Sequence, residues 1–281
     1  MSRRNLPTRN LRWARGEHVA MILLMIILLL TILAGFIAPF DPNEMTNDIS
    51  QAPSFRHIFG TDTLGRDILS RVLYGGRASL WIGIVATLIS SVIAIVYGTI
   101  SGLVGPQIDY FLMRICDLLL SLPQILMIVF LQAIMGTASI ASLSLVIGIS
   151  GWMGIARIVR NEVQRLRGSD YILSAKLMGA TSAYILKTHL LPNLLPAILY
   201  PIVSNVGSAM VAESTLSFMG LGLPMDVPSW GGILSGAQQA LLAGQWWMIV
   251  LPGGILIITL VCIAEVGEQF RRSNTRVHSN L

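Results

Sequence analysis

Between His18 and Asp41 the chain runs through residues 19–40 without a single charged side chain. Few folds can use such a run. A helix rises about 1.5 Å per residue, so about 20 apolar residues span the roughly 30 Å hydrocarbon layer of a bilayer. Five further stretches have the same character: 80–104, 114–135, 140–158, 194–221 and 246–266. Charged residues make up only 12% of the chain, half of the roughly 25% usual in soluble domains. Too little polar surface remains to cover a water-soluble core. The reading is an all-α polytopic membrane protein with six transmembrane helices.

The first run exceeds the apolar core of a secretory signal, and no small-x-small cleavage pattern precedes Asp41, so it is expected to stay as an anchor. The third run carries Asp117 and Pro123, and the fifth carries Pro196, Pro201 and Glu213. Proline is tolerated in spanning helices where neighbours satisfy the freed carbonyls. The two cysteines, Cys116 and Cys262, both lie in apolar stretches, which excludes a disulfide framework or a paired-cysteine zinc site.

The net charge is +5, and its placement explains it. Arg3, Arg4, Arg9, Arg12 and Arg15 precede the first run. Arg114 sits at the turn into the third. Arg157, Arg160, Arg165, Arg167, Lys176 and Lys187 crowd the connection after the fourth, and Arg271, Arg272 and Arg276 follow the last. Only Arg56, Arg66, Arg71 and Arg77 fall on the other side. Basic residues stay cytoplasmic, so both termini are expected in the cytosol: a basic segment over 1–18 and a tail over 267–281. The charge orients the protein, and a nucleic-acid patch is the poorer reading.

Two long segments remain, 41–79 outside and 159–193 in the cytosol, and loops of this length usually carry function. In the cytosolic one, Ser169 or Asp170 can cap a helix that ends at Gly179. A second short helix is expected from Thr181 or Ser182, finishing before Pro192. The pair would present Ile172, Leu173, Leu177, Tyr184 and Ile185, which need cover from the chain itself, from lipid or from a groove on a soluble partner. In the external segment, Gly60 and Gly65 permit tight turns, Asp62 and Asp67 can close them onto amides, and Arg66 and Arg71 can pair with those carboxylates. The favoured reading is a folded surface scaffold, with direct substrate contact as the alternative.

The residues Ser174-Ala175-x3-Gly179-Ala180-x8-His189-Leu190-Leu191-Pro192 resemble the coupling loop of permease subunits of bacterial ABC importers, with Leu173 and His189 departing from its pattern. Gly60-Thr61-Asp62-x2-Gly65-Arg66-Asp67-x2-Ser70-Arg71 is similar to the signature of the C-type permease subunit of peptide and nickel importers. Further matches run through Asp109-x3-Met113-Arg114-x2-Asp117, Leu216–Gly222, Pro228-Ser229-Trp230-Gly231 and Gly267-Glu268-x-Phe270-Arg271. The resemblance implies the type I importer fold and a place in the bacterial inner membrane. It implies four partners besides lipid: a homologous second permease, two cytosolic ATPases and an extracytoplasmic solute-binding protein. Ser174, Ala175, Gly179, Ala180, Leu191 and Pro192 would couple to the ATPases, which would use the ATP and Mg. This chain would hold no cofactor or metal.

The chain's only lysines, Lys176 and Lys187, stand in no phosphate-cradling G-x4-G-K-[ST] loop, so its own ATPase activity is not expected. An ion-coupled carrier would need ionisable groups in mid-membrane. Asp117, Glu213 and Glu265 are the few candidates, but Asp117 also fits an interfacial pair with Arg114, and Glu213 a carboxylate bonded to a neighbouring helix. Gly148-Ile149-Ser150-Gly151 resembles the serine motif of intramembrane rhomboid proteases, yet no histidine lies in an expected span to serve as base. Glu213, Ser204, Gly207 and Ser208 are candidates for the substrate path. Peptides rank first as solute, with nickel or a metal chelate as the alternative.

Overall fold

The computed structural model describes residues 9–278, with side chains from His18 to Arg272 apart from that of Ser182. Arg3 and Arg4, and the side chains of Arg9, Arg12, Arg15 and Arg276, lie outside the described residues. The helices are α1 (Arg9–Ile32), α2 (Ala34–Ile37), α3 (Ile68–Leu103), α4 (Pro106–Ser121), α5 (Gln124–Met135), α6 (Ile140–Ser150) and α7 (Met153–Arg167). They continue with α8 (Asp170–Leu177), α9 (Ser182–Ile185), α10 (Leu191–Phe218), α11 (Trp230–Leu234), α12 (Ala237–Leu242) and α13 (Trp247–His278).

Three helices are long and apolar enough to cross a bilayer unbroken: α3, the run Ala183–Phe218 that ends in α10, and Trp247–Arg272 of α13. Two bent pairs pass the same test together, α4 with α5 at 89° and α6 with α7 at 46°. The apolar part of α1, His18–Ile32, is shorter.

The bends redraw the boundaries drawn from hydropathy. The expected third span begins mid-helix, because Pro106 already suits the first turn of α4. It then breaks where Leu122 takes an extended conformation ahead of Pro123. The fourth breaks at Gly151-Trp152 and its second half runs on to Arg167. There Val159, Val163 and Leu166 are buried while Arg157 and Arg165 are exposed and Arg160 and Arg167 half-buried, so a segment that looked like loop is an amphipathic helix. Asp67 caps α3, whose first turns occupy the end of the segment expected outside, 41–79.

The second short helix does not stop before Pro192. A wide π turn over Leu186–Leu190 joins α9 to α10, and the Leu191 amide donates to the Leu186 carbonyl five residues back. Leu191 keeps right-handed helical angles, so the widened turn carries the helix past a nitrogen that has no hydrogen to give.

α3 is the centre of the bundle. It packs on α6 and α7 along one side and on α10 along the other, while α13 packs on α10 and α1. The α3–α7 contact requires glycine: a Cβ on Gly98 would lie 2.5 Å from the Ala156 carbonyl oxygen. Residues 41–67 sit at the start of α3. Its far end meets α7, so α8 and α9 lie at the opposite end of the bundle.

Candidate functional site

The α8–α9 pair is built around a glycine that only its backbone angle demands. Gly179 has φ +85°, and nothing lies within 4 Å of where its Cβ would be. The Gly179 amide donates to the Lys176 carbonyl and the Ala180 amide to the Ala175 carbonyl, both at 3.0 Å. That crossed pair is the Schellman ending of a helix. Ser169 occupies the N-cap, but its hydroxyl donates back to the Leu166 carbonyl and does not cap α8.

The apolar side chains of this pair divide. Ile172 and Ile185 are buried with Val159, Val163, Leu166 and Leu194 in one cluster, with Ala180 and Leu191 packed against it. Of the three kinds of cover left open, the chain itself supplies it for these two, through α7 and Leu194. Leu177 and Met178 are 90% and 82% exposed, and Leu173 and Tyr184 are exposed as well. Ala175 is buried, whereas Ser174 and Pro192 are exposed. His189 sits between the rings of Tyr171 and Tyr184, at 6.0 and 5.7 Å.

Two ion pairs brace the same end. Asp109 receives Arg160 through both oxygens, with Ser101 Oγ donating at 2.6 Å and Gln164 Nε2 at 3.0 Å. Asp117 pairs with Arg157 of α7, not with Arg114. Both tie α4 to α7. Sequence reading quoted Asp109 but missed this role, since its partners are 51 and 55 residues away.

At the other end the 60–71 segment forms a closed polar knot. Asp62 Oδ1 accepts from the amides of Leu64 and Arg66, and its Oδ2 accepts Arg66 Nε at 2.7 Å. Buried Thr61 donates to the Asp48 carbonyl and accepts from the Gln51 amide. Gly65 has φ +73°, and its Cβ would strike the Thr46 carbonyl at 2.1 Å; Gly60 has φ +76° and lies against Trp247. Asp67 Oδ2 takes the Ser70 amide and hydroxyl, and its Oδ1 meets His57 Nδ1 at 2.9 Å. The expected Arg71–aspartate pair is absent among the described residues. Arg71 Nη1 donates to the Pro42 carbonyl and to Asn43 Oδ1, because Asp67 is already taken by His57 and Ser70.

The four candidates for a substrate path separate. Ser204, Gly207 and Ser208 line a cleft of about 590 Å³ with Gln124 and Ile128 of α5 and Leu260 and Ile263 of α13. Glu213 stands five residues past Ser208, about 140° round the helix, and is fully buried on the other face. Ser79 Oγ donates to it at 3.0 Å and Ser217 Oγ at 2.8 Å. Ser79 Oγ also accepts the amide of Trp230, whose indole donates to the Val72 carbonyl. Glu213 thus pins α10 to α3 and α11. Ser150 is buried too, with its hydroxyl donated to the Val146 carbonyl.

A helical chain with an exposed helical pair at one end, joined through the run Ala183–Phe218 to a cleft among apolar helices, suits a transport permease. The chain belongs to the family of binding-protein-dependent transport system inner membrane components, whose pattern matches residues 94–270. It is 33% identical over 261 residues to the dipeptide transport system permease protein DppC of Bacillus subtilis, covering 92% of this chain and 81% of that one. It is 34% identical to the oligopeptide transport system permease protein OppC of the same organism, over 92% and 85% of the two chains. The solved inward-facing MetNI methionine ABC transporter shares the fold, with TM-score 0.61 and 20% identity over 72% of this chain and 95% of that one. The chain is therefore a multi-pass protein of the bacterial inner membrane and an ABC importer permease.

Proposed function

We propose that this chain forms half of the translocation pathway of an ATP-driven importer of di- and oligopeptides, with six crossings and both termini in the cytosol. A homologous permease supplies the other half, two cytosolic ATPases use the ATP and Mg, and an extracytoplasmic binding protein delivers the solute. The observation that carries the reading is the continuous helix Ala183–Phe218. Its 36 residues, about 54 Å long, start in the exposed coupling pair and end past the cleft face at Ser204, Gly207 and Ser208. Leu173, Leu177, Met178 and Tyr184 offer the apolar contact that a groove on an ATPase would cover. Closure of the ATPases on ATP then moves one end of this helix, and the cleft face at the other end turns with it. The relatives named for dipeptides and oligopeptides support peptides as cargo.

Uptake by a strain lacking this subunit, complemented with the intact gene, tests the assignment. Labelled dipeptide should enter, and entry should stop on ATP depletion but survive an uncoupler. Restored nickel uptake without peptide uptake would replace the cargo, and loss with the uncoupler alone would make the chain an ion-coupled carrier.

A further inference from the structure

A cavity of about 680 Å³ lies between the 62–71 segment and the connection from α10 to α12, and its wall carries Asp62, Arg66 and Arg71. This size falls within the range of small-molecule sites. One carboxylate against two guanidiniums leaves the wall with an excess of one positive charge.

Asp62 is committed to Arg66. Arg71 is 4% exposed and gives Nη1 to two neutral oxygens, the Pro42 carbonyl at 3.0 Å and Asn43 Oδ1 at 3.3 Å. No carboxylate among the described residues forms an ion pair with it. A guanidinium carries five N–H donors, and a buried cation without a counter-ion is costly. The charge therefore calls for an anion from outside the chain, and the cavity is where one can reach it.

The remaining wall is mostly apolar, with Leu223, Val227, Ile233 and Met248 among its residues. A second cavity of about 300 Å³ shares Ala138, Gly220 and Gly222 with the first and continues along α5 and α10 past Gln132. Gln132 Oε1 is buried without a hydrogen-bond partner among the described residues, an acceptor placed deeper than the arginines. The near edge of the Ser208 cleft, at Ile128 of α5 and Ala212 of α10, lies about one turn further along the same two helices, and Ser208 about one turn beyond that. Cation, apolar wall and orphan acceptor follow one another through the two adjoining cavities.

We propose that this cavity is a carboxylate-receiving station at the outer end of the path, where Arg71, with Arg66 beside it, takes the α-carboxylate of the incoming peptide. The proposal rests on the peptide-importer reading.

The test uses the assembled importer in nanodiscs without its binding protein, titrated with the dipeptide Ala-Phe and with its C-terminal amide. The two probes differ by one negative charge. The free acid should bind at least about tenfold more tightly, as a charge-assisted hydrogen bond to a buried cation implies. Arg71→Gln should abolish the difference and Arg71→Lys should retain part of it. Because Arg71 also holds Pro42 and Asn43, the acid–amide comparison on the unaltered protein decides the matter even where Arg71→Gln fails to assemble. Equal binding of acid and amide, or binding of neither, overturns the proposal. So does an Arg71→Gln protein that keeps the acid–amide difference but docks the binding protein poorly, since the anion would then be an acidic side chain of that protein. ATP-driven uptake of Ala-Phe is measured on the same complex. Uptake without an acid–amide difference removes the station alone, while failure to take up any peptide removes the importer reading and the station with it.

Discussion

Replacing Gly179 separates backbone angle from space as the reason for a glycine in the coupling pair. With φ +85° and open room around the missing Cβ, a substituent meets no neighbour and only the left-handed backbone resists it. An L-residue with a Cβ costs roughly 1–2 kcal/mol in that region, while Asn is tolerated there. Alanine should therefore cost about 1 kcal/mol, or about fivefold in the ratio of aligned to misaligned hairpins. Valine, branched at Cβ, should cost about 2 kcal/mol or more. It could escape only by giving up the Lys176 and Ala175 bonds, at a similar loss of about 0.5–1.5 kcal/mol each. Two kcal/mol corresponds to about thirtyfold. In proteoliposomes, uptake per ATP hydrolysed should fall by up to about fivefold in Gly179→Ala and further, by up to about thirtyfold, in Gly179→Val, and stay near normal in Gly179→Asn. Assembly is checked by co-purification of the ATPases. Full coupling in an assembled Gly179→Val complex, or equal damage from Asn and Val, would refute the reasoning.

The two ion pairs between α4 and α7 should differ in weight. Asp109 and Arg160 side chains are 9% and 27% exposed, so Asp109→Asn should destabilise by about 1–3 kcal/mol, visible as a lower melting temperature in detergent. Asp117 and Arg157 are 46% and 45% exposed, and Asp117→Asn should change stability by less than about 1 kcal/mol. Glu213→Gln keeps an acceptor for Ser79 or Ser217 and should leave peptide uptake within about twofold of normal, whereas Glu213→Ala strips both hydroxyls of their partner and should cost about 1–3 kcal/mol of stability. A clear uptake defect in stable Glu213→Gln would mean that the carboxylate acts in transport. Ser208→Trp should block uptake with the melting temperature unchanged, because Ser208 faces the cleft and is exposed; normal uptake would move the path elsewhere.

The linear order of residues settled whatever depends on neighbours within a few positions. Uncharged runs of 20 residues set the solvent, Gly179 followed by a polar start set a broken helix, and Gly60, Asp62 and Gly65 set tight turns, because turn geometry and transfer into lipid are local properties. Motif spacing along the chain was enough to place it in its family.

What needed the fold was every contact between distant segments. The chain shows Arg114 three residues before Asp117, yet Asp117 bonds to Arg157, because the bends at Pro123 and Gly151 lay α4 against α7. It shows Asp67 four residues before Arg71, yet folding brings His57 to Asp67 first and leaves Arg71 facing a cavity. It shows Glu213 near Ser208, yet helix rotation puts one in the wall between α3 and α10 and the other in the cleft. A charge can bond only what the packed helices bring within about 3 Å of it, and that distance is set by crossings between segments dozens of residues apart.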